Sequence, residues 1–516
     1  MEVLDSVPVT AQTTARASSY VIYADLPGNR DRVLLVHGYT GAYDLVSRNV
    51  AAYLRSLEQS PVSKPLYGEW LPEELDGETS VKPSEGTLSV LSRRGYLTTK
   101  TREEEEAYFV RHVAALHAAE LRRLPLYVIM PTYDCNLRCA YCFQDHMRTD
   151  TRYNHLLRTM SRSTADRILA SFPRIEELHS IDPSADFSRM FTLFGGEPLL
   201  RQSRPVVEYI IGKAKSMGRA TFGAITNATE LEWYADLLGP DGISWLQITL
   251  DGPREQHDQR RVRADRSGSF DETSANIGLA LERGVNVNIR MNVDRSNVGM
   301  IPELAEHFAS AGWSSYPNFS SYVAPVHDYN DLGTRKDFFN SWELGQAIEA
   351  LRPEHPAMRS VNPVDSGLAM RVREIFYGRQ SAMPEKASFC GAHKGMYIFD
   401  AFGDIYSCWD RTGDKNIRIG TVGESGQVEL NALNTLWRER TVASNKTCRS
   451  CRFALYCGGG CAILAEGVSG TMFSNHCDAF GKRFRAKVAD TYVDFARGAH
   501  GASVRAEGAA LQELVL

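Results

Sequence analysis

Pro131-Thr-Tyr-Asp-Cys-Asn-Leu-Arg-Cys-Ala-Tyr-Cys-Phe143 follows the apolar run Leu126 to Met130 and sets Cys135, Cys139 and Cys142 at the spacing Cys-x3-Cys-x2-Cys. The number of thiolates on this loop is informative. A structural zinc site takes four tetrahedral ligands, whereas a cubane iron–sulfur cluster held by three cysteines leaves one iron open for a further ligand. A zinc knuckle or a redox loop is the plainer reading of the same triad.

Outward from this loop, strand-like runs alternate with helical patterns. The candidate strands are Leu126 to Met130, just past the helix-stopping Pro125, then Arg189 to Phe194, Arg219 to Ile225, Trp245 to Leu250, Val285 to Val293 and Asn318 to Val323. Alternation of this kind predicts βα units around a parallel sheet, an α/β fold, with functional residues at the carboxyl ends of the strands. The distinctive residues fall there. Gly195-Gly196-Glu197-Pro198 follows the second strand, Thr226-Asn227 ends the third, and Thr249-Leu-Asp251-Gly-Pro253 with His257, Asp258 and Arg261 follows the fourth.

Taken together, these motifs resemble the radical S-adenosylmethionine (SAM) superfamily, which implies a partial (β/α)6 TIM-like barrel. In that family a [4Fe-4S] cluster on the triad binds SAM through its open iron. One electron then cleaves the sulfonium to a 5′-deoxyadenosyl radical that takes hydrogen from a substrate. By the same resemblance, Tyr141 precedes the last cluster cysteine, and Gly195, Gly196, Glu197 and Pro198 form the segment that receives the SAM amino group. An acidic residue suits an ammonium, and glycines let backbone approach a ligand. Thr249 stands where relatives have a hydroxyl near the SAM carboxylate, Arg261 where they have its charged partner, Asn227 in the Thr-Asn element and Asn292 on the ribose side. A guanidinium pairs with a carboxylate in bidentate fashion. Arg260 and Arg263 are alternatives to Arg261.

A second array reads Cys390-x12-Gly403-x4-Cys408, then Cys448-x2-Cys451-x5-Cys457-x3-Cys461, closed by Cys477. Zinc is the plainer reading of its central part. Seven ligands, however, fit two clusters and leave one of two zinc sites short. The order and spacing resemble the SPASM extension of radical SAM peptide maturases. The resemblance implies two auxiliary [4Fe-4S] clusters, one on Cys448, Cys451, Cys457 and Cys477 and one on Cys390, Cys408 and Cys461, for three clusters in all. Sulfatase-maturing relatives carry an extra cysteine where this chain has Pro384, and an acid directly after the cysteine matching Cys408, where Trp409 intervenes before Asp410. Asp410 is the candidate proton acceptor, with Asp400 and Asp404 as rivals.

The first 120 residues lack cysteine. Tyr20-Val-Ile-Tyr-Ala and Arg32-Val-Leu-Leu-Val predict paired strands about Pro27-Gly28-Asn29, and helices are expected over Val46 to Leu57, Gly86 to Ser92 and from Thr101. This order resembles the winged-helix domains that bind leader peptides in enzymes maturing ribosomal peptides; a plain structural extension is the alternative. Leu34-Leu-Val-His37-Gly resembles an α/β-hydrolase oxyanion loop, but the chain has no Gly-x-Ser-x-Gly elbow, so His37 is expected to be a turn or partly buried histidine. Further helices are expected over Trp342 to Leu351 and Val364 to Tyr377, and the polar tail ends in the apolar Leu511 to Leu516.

Over 516 residues, Lys and Arg number 58 against 63 Asp and Glu, a net charge of −5 that gives no footprint for nucleic acid. No run approaches a membrane span, and the first residues lack a signal-peptide pattern. A reducing cytoplasm is expected, where ten cysteines read as ligands before disulfides. The expected organisation is a winged-helix-like domain over 1–120, a radical SAM barrel over 121–325, a helical linker over 326–385, a SPASM domain over 386–490 and a tail over 491–516. The expected activity is oxidative crosslinking (carbon–carbon, carbon–oxygen or thioether) in a ribosomal precursor peptide, leader plus core, with flavodoxin or ferredoxin as electron donor. A formylglycine-forming oxidase of sulfatases is the first alternative. A non-catalytic iron–sulfur or zinc peptide-binding protein is the second.

Overall fold

The computed structural model describes residues 15–58, 80–327, 338–377 and 382–501; Leu511 to Leu516 lie outside them. The chain opens with β1 (Arg16–Ala17), β2 (Val21–Leu26), β3 (Asn29–His37) and β4 (Tyr43–Ser47). Strands β2, β3 and β4 form an antiparallel sheet. Helix α1 (Arg48–Ser56) starts where the Ser47 hydroxyl accepts the Val50 N–H. After α2 (Glu85–Arg93), β5 (Leu97–Thr98) pairs with β1, and α3 (Arg102–Leu121) begins in a capping box between Thr101 and Glu104. Alternation of side chains gives this sheet two apolar faces. Val21, Tyr23, Val33 and Leu35 pack on α1 and α2, while Ile22, Ala24, Leu34 and Val36 pack on Leu368, Val372, Phe376, Phe484 and Val488.

The last five residues belong to helices Ser366–Phe376 and Phe480–Gly501. The stretch expected as one linker is therefore divided. Its first helix, Ser341–Leu351, buries Leu344 and Ile348 in the barrel core, and its second covers the N-terminal sheet together with the C-terminal helix.

The six expected strands are present as β6 (Leu126–Ile129), β8 (Arg189–Leu193), β9 (Ala220–Thr226), β10 (Ile243–Thr249), β12 (Asn286–Val293) and β13 (Phe319–Pro325). They are parallel and lie in sequence order across the sheet. Short β7 (Leu137–Cys139) and β11 (Arg261–Arg263) pair apart from them. Register lines up Tyr127, Phe191 and Phe222 on the helix-facing side. Their rings, with Phe172 from helix Arg162–Leu178, stack at 4.0 Å for Tyr127 on Phe172 and 5.0 Å for Phe191 on Phe222. Each such pair is worth about 1 kcal/mol beyond its burial.

The sheet does not stop at β6. Strand β14 (Met396–Phe399) adds to it in parallel, and β15 (Asp404–Tyr406), β16 (Gly420–Val422) and β17 (Val428–Leu430) continue antiparallel, giving ten strands. The barrel and the start of the second cysteine region thus share one hydrogen-bonded sheet.

Candidate active site

The cysteine loop leaves β6 and returns toward the barrel mouth because β7 pairs antiparallel with β11, placing Arg261 opposite Cys139. Cys135 and Cys139 are buried and Cys142 partly so. All three line one cavity with Gly195, Gly196, Glu197, Thr226, Asn227, Thr249, Arg261 and Asn292. Burial pushes the Cys135 thiol up to about 12, opposed by Arg148, and the Cys139 thiol to about 11, opposed by Arg261. Arg148 Nη2 donates to Cys142 Sγ at 3.1 Å. No motif marks this arginine in the sequence.

The glycines of Gly195-Gly196-Glu197-Pro198 also meet a demand of the fold itself. A Cβ on Gly195, whose φ is +142°, would lie 2.4 Å from the Thr132 carbonyl oxygen, and one on Gly196 2.2 Å from that of Asp134. The Gly196 and Glu197 N–H groups donate to those same carbonyls at 3.1 and 2.8 Å. The glycines therefore let the cysteine loop dock on the end of β8. Glu197 lines the cavity, but its oxygens accept from Thr226 Oγ1 and the Asn227 N–H, each at 2.6 Å, and from the Leu199 N–H at 2.9 Å. Burial pushes this carboxyl up to about 7 against those hydrogen bonds. Pro198 is buried at the end of the same segment, behind the cavity-lining Gly195, Gly196 and Glu197; a proline has no N–H to present to a ligand. Asn227 turns its amide to Asn136 Oδ1 at 2.9 Å and toward Cys135 Sγ at 3.8 Å.

On the opposite wall, the Tyr141 hydroxyl donates to Asp251 and accepts from Arg261 Nη1 at 2.7 Å and Asn292 Nδ2 at 3.2 Å. Asp251 also accepts the Asn292 N–H at 2.9 Å. The neighbouring arginines point elsewhere. Arg260 pairs with Asp294 at 2.8 Å and Arg263 with Glu272 at 3.3 Å, so Arg261 is the one of the three that lines the cavity. Its Nε, like that of Arg148, is buried without a hydrogen-bond partner. Two buried thiols and a partly buried third, with unpartnered guanidinium nitrogens beside them, fit a cubane and the carboxylate of SAM.

Gln247, Arg290, Val326, His327, Trp409 and Asp410 also line the cavity. Arg290 lies between Thr249 and Tyr322 in the register of β10, β12 and β13. Asp410 is the only member of the acidic trio that reaches the cavity. Asp400 accepts the Phe402 and Asp404 N–H groups and the Tyr133 hydroxyl, and Asp404 pairs with Arg418 at 2.7 Å. Trp409 packs against Phe194 with ring centroids 5.5 Å apart. Burial pushes Asp410 up to about 6, opposed by Arg290.

The seven remaining cysteines fall into two electrostatic groups. Cys408 feels Cys390 and Cys461, and Cys448 feels Cys451, Cys457 and Cys477; burial pushes up every one of these thiols. Among the described residues no group of His, Cys, Asp and Glu could enclose a single metal ion; a cubane holds its thiolates further apart than one ion does. Asn475 Nδ2 donates to Cys477 Sγ at 3.0 Å.

The N-terminal sheet packs directly on this second array. Tyr20 donates to the Arg449 carbonyl, Tyr456 to the His37 carbonyl and Arg452 to the Val21 carbonyl. His37 is fully rather than partly buried, at the end of β3, with Nε2 3.0 Å from Ser18 Oγ. Burial pushes it down to about 4.

Residues 129–308 match the model of the radical SAM superfamily. The chain is 25% identical to the serine-type anaerobic sulfatase-maturating enzyme of Bacteroides thetaiotaomicron, over 65% of this chain and 82% of that protein. It is 22% identical to the cysteine-type anaerobic sulfatase-maturating enzyme of Clostridium novyi, over 72% of this chain and 98% of that one. The structure of native anSMEcpe with bound AdoMet and Cp18Cys peptide aligns with 73% of this chain and 100% of its own at a TM-score of 0.52 and 16% identity, a likeness of fold.

Proposed function

The chain is an enzyme of the radical SAM superfamily, with its radical SAM domain over residues 129–308, and on that premise we propose that it oxidatively crosslinks side chains in a ribosomally made precursor peptide. The observation that carries this reading is the single cavity lined by the Cys135, Cys139 and Cys142 triad on one side and by Asp410, beside Cys408, on the other. When bound, a [4Fe-4S] cluster and SAM supply a 5′-deoxyadenosyl radical as hydrogen acceptor.

The chain's own residues bind, orient and move a proton. Arg261 and Thr249 would hold the SAM carboxylate, the Gly195 to Glu197 segment its amino group and Asn292 its ribose. Glu197 keeps Thr226 and Asn227 in place. Phe194 and Trp409 wall the substrate side and exclude water. Asp410, once ionised, takes the proton that the substrate residue loses, and the two further cysteine groups would hold auxiliary clusters, which would supply an acceptor for the surplus electron. The N-terminal sheet with its helices grips the leader, and flavodoxin or ferredoxin delivers electrons. Among the described residues no helix is long and apolar enough to cross a membrane.

Formylglycine formation is the second reading, favoured by the two sulfatase-maturating relatives and by the presence of Asp410 in the cavity wall. One experiment separates the two. The reconstituted enzyme is incubated anaerobically with SAM, reductant and, in parallel, any short peptide encoded beside its gene or a sulfatase peptide carrying the target serine or cysteine, and the product is fragmented by mass spectrometry. A crosslink removes two hydrogens and suppresses fragments between the joined residues. Formylglycine gives an aldehyde that hydroxylamine captures, with all fragments present. An unmodified peptide alongside stoichiometric 5′-deoxyadenosine would refute both.

A further inference from the structure

Arg440 is a buried guanidinium, 2% exposed, in the middle of the second cysteine region. Its Nε donates to the Met472 carbonyl, and its Nη2 to the carbonyls of Ser474 at 3.0 Å and Gly459 at 3.5 Å. Its Nη1 lies 3.3 Å from His393 Nε2. His393 Nδ1 lies 3.0 Å from the Trp437 carbonyl, which accepts its proton, so Nε2 is the accepting nitrogen. The imidazole is neutral, since burial pushes it down to about 3.

Every one of these partners is uncharged. A buried cation is costly without a counter-charge. Among the described residues no carboxylate is hydrogen-bonded to Arg440; the side chains that act on it most strongly are Cys448, Cys390, Cys461 and Cys457, drawn from both cysteine groups. Its anchors sit on the chain segments that carry those cysteines. Gly459 lies between Cys457 and Cys461, Met472 and Ser474 lead into Cys477, and His393 follows Cys390. Burial pushes the guanidinium down while the cysteines hold it up. Cys457 and Cys390 act in the same sense on Lys386, opposed there by Arg371 and Lys394.

We propose that Arg440 is the shared counter-charge of two auxiliary iron–sulfur clusters, a positioning residue that joins their loops and raises the reduction potential of both. The inference rests on the reading that both cysteine groups hold clusters. Net charge and hydrogen bonding around the sulfurs are the protein's means of setting such potentials. A positive charge placed between the two sites favours the reduced, more negative state of each. Arginine suits the position because its planar fork reaches three loops at once and stays charged when buried.

The test is an EPR-monitored redox titration of reconstituted full-length protein, with iron and sulfide counted, for the wild type and for Arg440→Met, Arg440→Gln and Arg440→Lys. Arg440→Met and Arg440→Gln are expected to shift the one-electron reduction equilibrium of the SAM-insensitive signals about tenfold toward the oxidised state, a fall of about 59 mV. Arg440→Lys, which keeps the charge, is expected to hold the potentials near wild type. Loss of clusters in the two neutral variants with retention in Arg440→Lys also supports the inference. Full iron with unchanged potentials in the neutral variants would overturn it, as would loss of clusters in Arg440→Lys. Wild-type protein carrying iron for one cluster alone would overturn the auxiliary-cluster reading, and this inference with it.

Discussion

Replacing Glu197 by Gln tests how the barrel mouth is held. The native carboxyl is 2% exposed and has three donors around it. Burial raises it from the ordinary 4.5 to about 7, a gap worth about 3 kcal/mol. A carboxyl raised in the folded state favours folding while it is protonated. That contribution is complete below 4.5 and is lost as pH rises through about 7. Glutamine is neutral throughout and has no such dependence, but its NH2 opposes one of the three N–H or O–H donors at a pH-independent cost of about 1 to 3 kcal/mol. The variant should therefore be the less stable protein at pH 4.5 and should recover about 3 kcal/mol relative to wild type by pH 8. Urea unfolding of cluster-free protein, fitted for the barrel transition at the two pH values, measures the difference. A gap between variant and wild type that stays constant within about 0.5 kcal/mol would refute the assignment of a strained, half-protonated carboxyl.

Three substitutions and one titration extend this. Arg261→Met removes a charged pairing worth about 1.5 to 3 kcal/mol, so SAM affinity by calorimetry should fall roughly 10- to 100-fold; an unchanged Kd would move the carboxylate site elsewhere. Asp410→Asn should lower product formation about 100-fold or more while 5′-deoxyadenosine still forms, and the wild-type rate should rise with pH through about 6 as the carboxylate ionises. Cluster assembly on Cys135 and Cys139, raised to about 12 and 11, must release protons, so reconstitution yield should climb between pH 7 and 9; a flat profile argues against buried thiols. Arg16→Met strands Glu105, which is fully buried and paired with Arg16 at 2.8 Å, and should cost the N-terminal unit about 3 to 5 kcal/mol in thermal unfolding.

The barrel was legible because each of its strands is a short apolar run followed by a helical pattern, and all six fall within a few residues of their expected positions. Cys135, Arg261 and Thr249 were legible because motif spacing survives without knowledge of tertiary structure. Arg148, Gln247, Arg290 and His327 were not. They are polar residues outside any motif, and alternation alone does not say which face of a strand turns to the lumen. The Gly195-Gly196 pair was legible as a close approach, but the approaching group is the Thr132 and Asp134 backbone, which only the folded loop reveals. Strand β4 went unread because Tyr43-Asp-Leu-Val-Ser is short and carries an internal acid that Arg94 and Tyr96 satisfy. The addition of β14 to β6 had no local signal at all.

That last pairing has a consequence for how the protein is made. Leu126 lies beside Met396 in the finished sheet, and Ile129 beside Phe399. During synthesis, β6 must wait for some 270 intervening residues before its second neighbour emerges, at roughly 5 to 20 residues per second. Through that interval the strand leading into the Cys135 loop presents an open edge of N–H and C=O groups, the kind of surface on which chains associate wrongly. The nascent barrel is therefore most exposed to aggregation just before its last parallel partner arrives. Slowing translation between residues 130 and 390 should raise the insoluble fraction, and supplying a chaperone that covers strand edges should lower it.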